Sequence, residues 1–170
     1  MRPIVVMGVS GSGKSTIGAA LARELHAEFL EGDSFHPPDN VARMAAGIAL
    51  TDADRQGWLA TLGARLGAAR REGRPVVMSC SALKRSYRDT LRAQAPDLAL
   101  LYLAGTPPLL MQRMAGRQGH YMPPSLLASQ LATLEPPQPD ECALTLDIAR
   151  EPAALVRDAL AWLQGHPDVA

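Results

Sequence analysis

The stretch Gly8-Val9-Ser10-Gly11-Ser12-Gly13-Lys14-Ser15-Thr16 decides the fold of this chain. Its spacing fits G-x-x-x-x-G-K-[ST], the pattern of a P-loop, which cradles phosphates. Before it, Ile4-Val5-Val6-Met7 is an apolar run that reads as a buried strand. After it, Ile17, Ala20, Leu21 and Leu25 keep helical spacing. Strand, glycine turn and helix start are the context such a loop requires. The glycines let the backbone wrap a phosphate chain with its N–H groups turned inward. The helix start adds unpaired N–H groups and the positive end of its dipole. Gly8, Ser10, Gly11, Ser12, Gly13 and Thr16 are therefore candidate nucleotide-binding residues. Lys14 places a cation on the outer phosphates, and the Ser15 hydroxyl is placed to ligate Mg²⁺. The sequence predicts a nucleoside triphosphate donor and leaves open what receives the phosphoryl group.

Composition narrows the acceptor. The chain has 170 residues, 47% of them apolar, which is enough for a single domain, 1–170, with its own core. Formal net charge is zero. That argues against broad electrostatic binding to nucleic acid or to a membrane, and suits a small-molecule substrate. Cys80 and Cys142 are too few and too isolated for a disulfide framework or a zinc site, and both read as buried free thiols. No signal peptide precedes the first strand and no apolar run is long enough to span a bilayer, so the sequence predicts a cytoplasmic protein.

Strands alternate with helices along the rest of the chain. Glu28-Phe29-Leu30 is a short second strand, ending in the polar, proline-rich loop Glu31-Gly32-Asp33-Ser34-Phe35-His36-Pro37-Pro38. Asp39 or Asn40 caps a helix through Val41, Met44 and Ala45 that stops at Gly47. Thr51 caps the next, which carries Trp58, Leu59, Leu62 and Leu66 and ends near Gly73. Pro75 to Cys80 is a third strand and Leu98 to Leu103 a fourth, so apolar that both faces must be covered. Between them runs a helix with Tyr87, Leu91 and Ala95 near one face. Helices follow from Pro107 through Met114 and from Pro124 to Leu134, then a proline-rich linker, a fifth strand at Ala143–Asp147 and a last helix from Pro152 to Leu163. The pattern predicts an α/β fold, a parallel sheet layered between helices.

Phosphoryl transfer needs positioning, cations around the moving group, and a base near the acceptor hydroxyl. Asp33 follows the second strand and so faces the P-loop across the cleft, which makes it the candidate base; a turn-forming aspartate is the plainer account. His36 is placed to bond a polyhydroxylated substrate, or is a surface histidine. Lys84, Arg85 and Arg88 follow the third strand and read as an anion site, with at least one of them on a solvated helix face. Arg43 fits either an exposed helix arginine or the acceptor site. Capping accounts for Asp54 and surface pairing for Arg55. Arg113 and Arg117 are four apart and share a face. With Gly119-His120 they read as a lid, a segment of about 113–134, that closes over nucleotide and excludes water. Trp58, Tyr87 and Trp162 sit at core spacing and are expected to pack.

Taken together, these motifs resemble those of the small thermoresistant-type gluconokinases. Met7 to Ser15 resembles their P-loop, and Glu31-Gly32-Asp33-Ser34-Phe35-His36-Pro37 their G-D-x-x-H-P loop. Cys80-Ser81-Ala82-Leu83-Lys84-Arg85-Ser86-Tyr87-Arg88-Asp89 resembles their C-S-A-L-K-x-x-Y-R-D run. Arg117-Gln118-Gly119-His120-Tyr121 matches R-x-G-H-[FY], and Ser129-Gln130-Leu131 the segment after it. The resemblance implies a nucleoside-monophosphate- or shikimate-kinase-like P-loop NTPase fold with a lid, a homodimer, and phosphorylation of D-gluconate by ATP to 6-phospho-D-gluconate. It implies Asp33 as base or as partner of a Mg²⁺-bound water, so that Ser15 and Asp33 would hold the metal. It puts Lys84, Arg88, His36, Arg55 and the lid's His120 near gluconate, Arg113 and Arg117 near ATP, and Leu146-Asp147-Ile148 near adenine. Lys14, Asp33 and Arg117 would carry the catalysis.

Two rivals have distinct signatures. A shikimate-type kinase would also use an aspartate after the second strand, but carries a glycine triplet after the third, where Ser79-Cys80-Ser81 stands here. A non-catalytic nucleotide-binding module would have no use for a base, an anion cluster and a lid.

Overall fold

The computed structural model describes residues 1–116 and 125–166. Five strands, β1 (Ile4–Met7), β2 (Glu28–Glu31), β3 (Val76–Ser79), β4 (Ala99–Ala104) and β5 (Ala143–Asp147), form one sheet among the described residues. Their order is β2-β3-β1-β4-β5 and every pairing is parallel. Around the sheet lie helices α1 (Lys14–Glu24), α2 (Pro38–Ala45), α3 (Asp52–Arg71), α4 (Arg85–Gln94), α5 (Pro107–Ala115), α6 (Ser125–Thr133) and α7 (Pro152–Gly165). The step from β1 to β2 crosses the sheet one way, and every later step runs the other way. Right-handed crossovers therefore put α1 on one face and α3 and α4 on the opposite one. Helix α7 packs back onto α1, and α3 packs on α4. The expected layered α/β fold of a P-loop kinase is what forms.

The apolar strands explain the layers. In β1, Ile4, Val5, Val6 and Met7 are all fully buried, with no polar residue between them, because helices cover both sheet faces. Burying each such side chain is worth about 1.5–3 kcal/mol. Val5 lies level with Met78 of β3 and Leu100 of β4. The chain leaves β1 for one side and crosses from β3 past β1 to the other. The carboxyl ends of β1 and β3 thus flank the switch point where such sheets bind ligands.

Local signals hold with a few shifts. Thr51 caps α3 through a reciprocal box, its Oγ1 accepting from Asp54 N–H while the Asp54 carboxylate accepts from Thr51 N–H. Helix α2 begins two or three residues earlier than its pattern suggested. Pro37 is its N-cap and Pro38 opens its first turn, so neither Asp39 nor Asn40 caps it. The Asn40 side chain is drawn instead to α3. Cys80 is buried, which pushes its thiol up to about 12 and leaves it inert. Cys142 is only half-buried, contrary to expectation, and its sulfur accepts a bond from Arg2.

Candidate active site

The P-loop joins β1 to α1. Gly13, the N-cap of α1, has a φ of 94°, a conformation that L side chains rarely adopt. A Cβ there would meet nothing within 4 Å, so the left-handed turn rather than crowding demands glycine. Ser12 Oγ is buried and has no hydrogen-bond partner among the described residues. A buried hydroxyl without a partner is costly unless a ligand supplies one. Together with the amides at the start of α1, it fits a phosphate group. A cleft of about 290 Å³ opens here, between Gly11–Gly13, Ser15, Thr16, Arg113, Ile148 and Arg150. Arg113 donates to the Ile148 carbonyl at 2.6 Å, which ties the end of α5 to the loop after β5. Both the Arg113 and the Ile148 expectations thus lie beside the P-loop. Arg150, paired with Asp158, joins them without having been singled out in the sequence. A larger groove of about 650 Å³ adjoins this cleft at Thr16 and Pro152, between α1 and α7. Its walls are mostly aliphatic, so the convergent polar groups belong to the smaller spaces.

The carboxylate bound to the Ser15 hydroxyl is that of Glu31, the last residue of β2. Its other oxygen accepts from Ser79 Oγ at 2.5 Å. Gly32 makes this possible: a Cβ there would lie 2.0 Å from the Ser79 carbonyl oxygen, so only glycine lets β2 end against β3. The metal-side role given to Asp33 thus meets a competitor two residues earlier.

Asp33 itself lies in a 3-10 turn, Gly32–Phe35, and faces a second, smaller cavity of about 20 Å³. Ser10, Lys14, His36, Arg55, Trp58 and Gln130 share its wall. The P-loop is therefore divided between two spaces. Ser10 and Lys14 face the Asp33 side, while Gly11 to Gly13, Ser15 and Thr16 face the nucleotide-sized cleft. The Lys14 ammonium donates to the Val9 carbonyl at 3.0 Å.

His36 stacks on Trp58, with ring centroids 3.9 Å apart, and the Trp58 indole N–H donates to Gly32 O at 2.8 Å. Burial, against the opposing effect of Asp33, lowers the His36 pKa to about 4, so its ring is neutral near pH 7. Asn40 Nδ2 donates to Asp54 O, which identifies its nitrogen end, and also meets His36 Nδ1 at 3.3 Å. His36 Nδ1 is then an acceptor, and the ring proton sits on Nε2. His36 is a neutral donor.

Arg55 joins Lys14 as a cation in the wall of this cavity. It donates to Tyr87 OH at 2.9 Å and lies over the Tyr87 ring. Tyr87 in turn bonds Asp52, which also holds Lys84 at 3.1 Å. Hydrogen bonds from Tyr87 and Lys84 keep the Asp52 carboxyl below its usual range. Lys84, expected in the substrate site, is thus engaged beside the cavity and not in its wall. Arg88 overturns its expectation more plainly. It is fully buried, its guanidinium clamped by Glu141 at 2.7 and 3.0 Å and donating to Ala82 O. It has nothing left to offer a substrate and serves as a strut between α4 and the chain before β5. Arg85 is bound to Asp140 and Gln138. Arg43 is exposed and paired with Asp54, the plainer of its two readings. Arg117 and His120 lie outside the described residues.

The family model of the AAA domain matches residues 4–137. A gluconokinase of Gluconobacter oxydans is 43% identical over 165 residues, covering 97% of this chain and 93% of that protein. The thermoresistant gluconokinase of Escherichia coli is 43% identical over 145 residues, covering 85% and 83%. The crystal structure of a gluconokinase from Sinorhizobium meliloti superposes with a TM-score of 0.88 at 51% identity, covering 97% and 93%.

Proposed function

The chain belongs to the gluconokinase family, and on that footing we propose that it transfers the γ-phosphoryl group of ATP to D-gluconate, giving 6-phospho-D-gluconate and ADP. The observation that carries this reading is the division of the P-loop between a nucleotide-sized cleft and a cavity holding a carboxylate and cations. The acceptor hydroxyl attacks the γ-phosphorus as the bond to the β-phosphate oxygen breaks. Asp33 takes the hydroxyl proton. Lys14, at the boundary of the two spaces, meets the charge on the moving group. Arg55 and the His36 Nε2–H suit the carboxylate and hydroxyls of a sugar acid. Lys84, held by Asp52 beside Tyr87, is a further candidate for the acceptor. Arg113 is a nucleotide contact, and Arg117 and His120 complete the lid of a single domain spanning 1–170.

The metal fits as well. The Ser15 hydroxyl and the Glu31 carboxylate are hard oxygen ligands beside the phosphate loop, and a Mg²⁺ site of this kind needs few protein ligands. When bound, the ion supplies positive charge to the outer phosphate oxygens. We assign Ser15 and Glu31 to it, with Asp33 turned to the acceptor. Residence in the cytoplasm, expected from the sequence, and assembly as a homodimer, which rests on family likeness, complete the reading.

The test is a coupled assay of ADP release over gluconate, other sugar acids, shikimate and nucleosides, with ATP and Mg²⁺. Gluconate should be turned over in preference to the rest. Turnover of a different acceptor without gluconate refutes the assignment, and nucleotide binding with no turnover at all points to the non-catalytic module.

A further inference from the structure

Gln130 occupies a place that the motifs did not assign. It sits on α6 and is only 8% exposed. Its Oε1 accepts the backbone N–H of Ser10 at 2.7 Å, across 120 residues of chain. A backbone N–H only donates, so this bond fixes which end of the carboxamide is oxygen. Gln130 lines the same small cavity as Asp33, His36 and Arg55. Ser10 is the residue at which the P-loop turns from the nucleotide cleft to that cavity. Gln130 thus joins the P-loop to the wall of that cavity.

The helix that carries it is docked for this purpose. Leu126, one turn earlier on α6, packs with Met44 of α2 and Leu50 in a small apolar cluster separate from the main core. Met44 and Leu50 also wall the cavity. The space enclosed, about 20 Å³, holds about one water molecule and no sugar acid. An acceptor therefore needs more room between α6 and α2 than this cavity holds.

We propose that Gln130 positions the acceptor, holding the P-loop through Oε1 and donating from Nε2 to a hydroxyl of the bound polyol acid. This rests on the gluconate reading above. A neutral donor suits a hydroxyl, whereas Arg55 supplies the charge for a carboxylate. Two variants separate the two ends of the side chain. Gln130→Glu keeps an oxygen for Ser10 N–H and loses the donor, while Gln130→Leu loses both.

The test measures kcat and KM for gluconate and for deoxygluconates lacking one hydroxyl each, with ATP affinity measured separately in the absence of acceptor. Gln130→Glu should raise KM for gluconate about tenfold or more, and should shrink the preference for gluconate over one deoxy analogue by a similar factor. ATP affinity should fall by a clearly smaller factor than gluconate affinity, since Gln130 meets the P-loop at Ser10 and does not line the nucleotide cleft. Gln130→Leu should show the same loss of discrimination. Unchanged discrimination in both variants, or a loss of ATP affinity matching the loss for gluconate, overturns the assignment. Absence of gluconate turnover in the wild-type enzyme overturns the activity itself, a distinct result.

Discussion

Two carboxylates, Glu31 and Asp33, sit two residues apart at the end of β2 and face different tasks. Glu31 is locked between the hydroxyls of Ser15 and Ser79, whereas Asp33 faces the acceptor cavity. Asp33→Asn should lower kcat by about 10²–10⁴, the usual worth of a general base, without moving the Mg²⁺ concentration for half-maximal rate. Glu31→Gln should raise that concentration about 10–100-fold. Titrations of rate against Mg²⁺ for the two variants check this, and the reverse pattern would exchange their roles. His36 gives a second, pH-dependent signature. Its pKa is about 4 in the folded protein against an ordinary 6.5. Between those values the unfolded chain binds more protons, so stability rises with pH across the window and is lost as pH falls through it. His36→Gln cannot titrate. Denaturant midpoints of wild type and variant should run parallel above pH 7 and converge or cross as the wild type weakens from about 6.5 to about 4. Parallel curves throughout that window would show that His36 is not held neutral.

At the level of elements, most of the architecture could be read from periodicity. Unbroken apolar runs marked the buried strands, and Thr51, Gly47 and Gly73 marked helix ends whose backbone chemistry is local. The basic residues after β3 were harder. Lys84 and Arg88 are four apart and look like neighbours on one helical face. Lys84, however, is the N-cap of α4, with φ −103° and ψ 148°, so helical phase does not extend to it. Arg88 points inward because its partner, Glu141, arrives 53 residues later. No local pattern announces such a partner, and the same is true of Gln130 and Ser10. Burial alone would raise the Glu141 carboxyl, but hydrogen bonds from Arg88, the Gln138 amide and Arg92 outweigh it and hold it charged. Breaking a buried pair strands the remaining charge. Arg88→Met should therefore destabilise the fold by about 3–5 kcal/mol, and Arg88→Met combined with Glu141→Leu should recover much of that. Denaturant unfolding measures both, and KM for gluconate in the folded fraction should stay near wild type. A selective rise in that KM would return Arg88 to the substrate site.

Across the whole molecule, the central position of β1 determines what can meet. Its loop is flanked by the ends of β3 and β2 on one side and by β4 on the other, so donor and acceptor sites fall on opposite sides of one nine-residue loop. The P-loop motif marked the residues of the larger cleft that are contiguous in the chain, Gly11 to Gly13, Ser15 and Thr16. The smaller cavity draws on the turn after β2, on α3, α6 and the P-loop together, and Trp58, Met44, Leu50 and Gln130 were given no role there by the sequence. From its local pattern alone Arg55 reads as a surface residue, placed near the substrate only by the resemblance, and Trp58 reads as core; α3 brings both to the cavity wall. Trp58 is one of two tryptophans, buried face to face with a histidine on the wall where the acceptor must enter. The other, Trp162, lies on α7 against His166. The Trp58 indole is consequently expected to serve as an intrinsic optical reporter, its ultraviolet emission in a Trp162→Phe variant changing as the proposed acceptor side fills and as the stacked His36 ring is protonated.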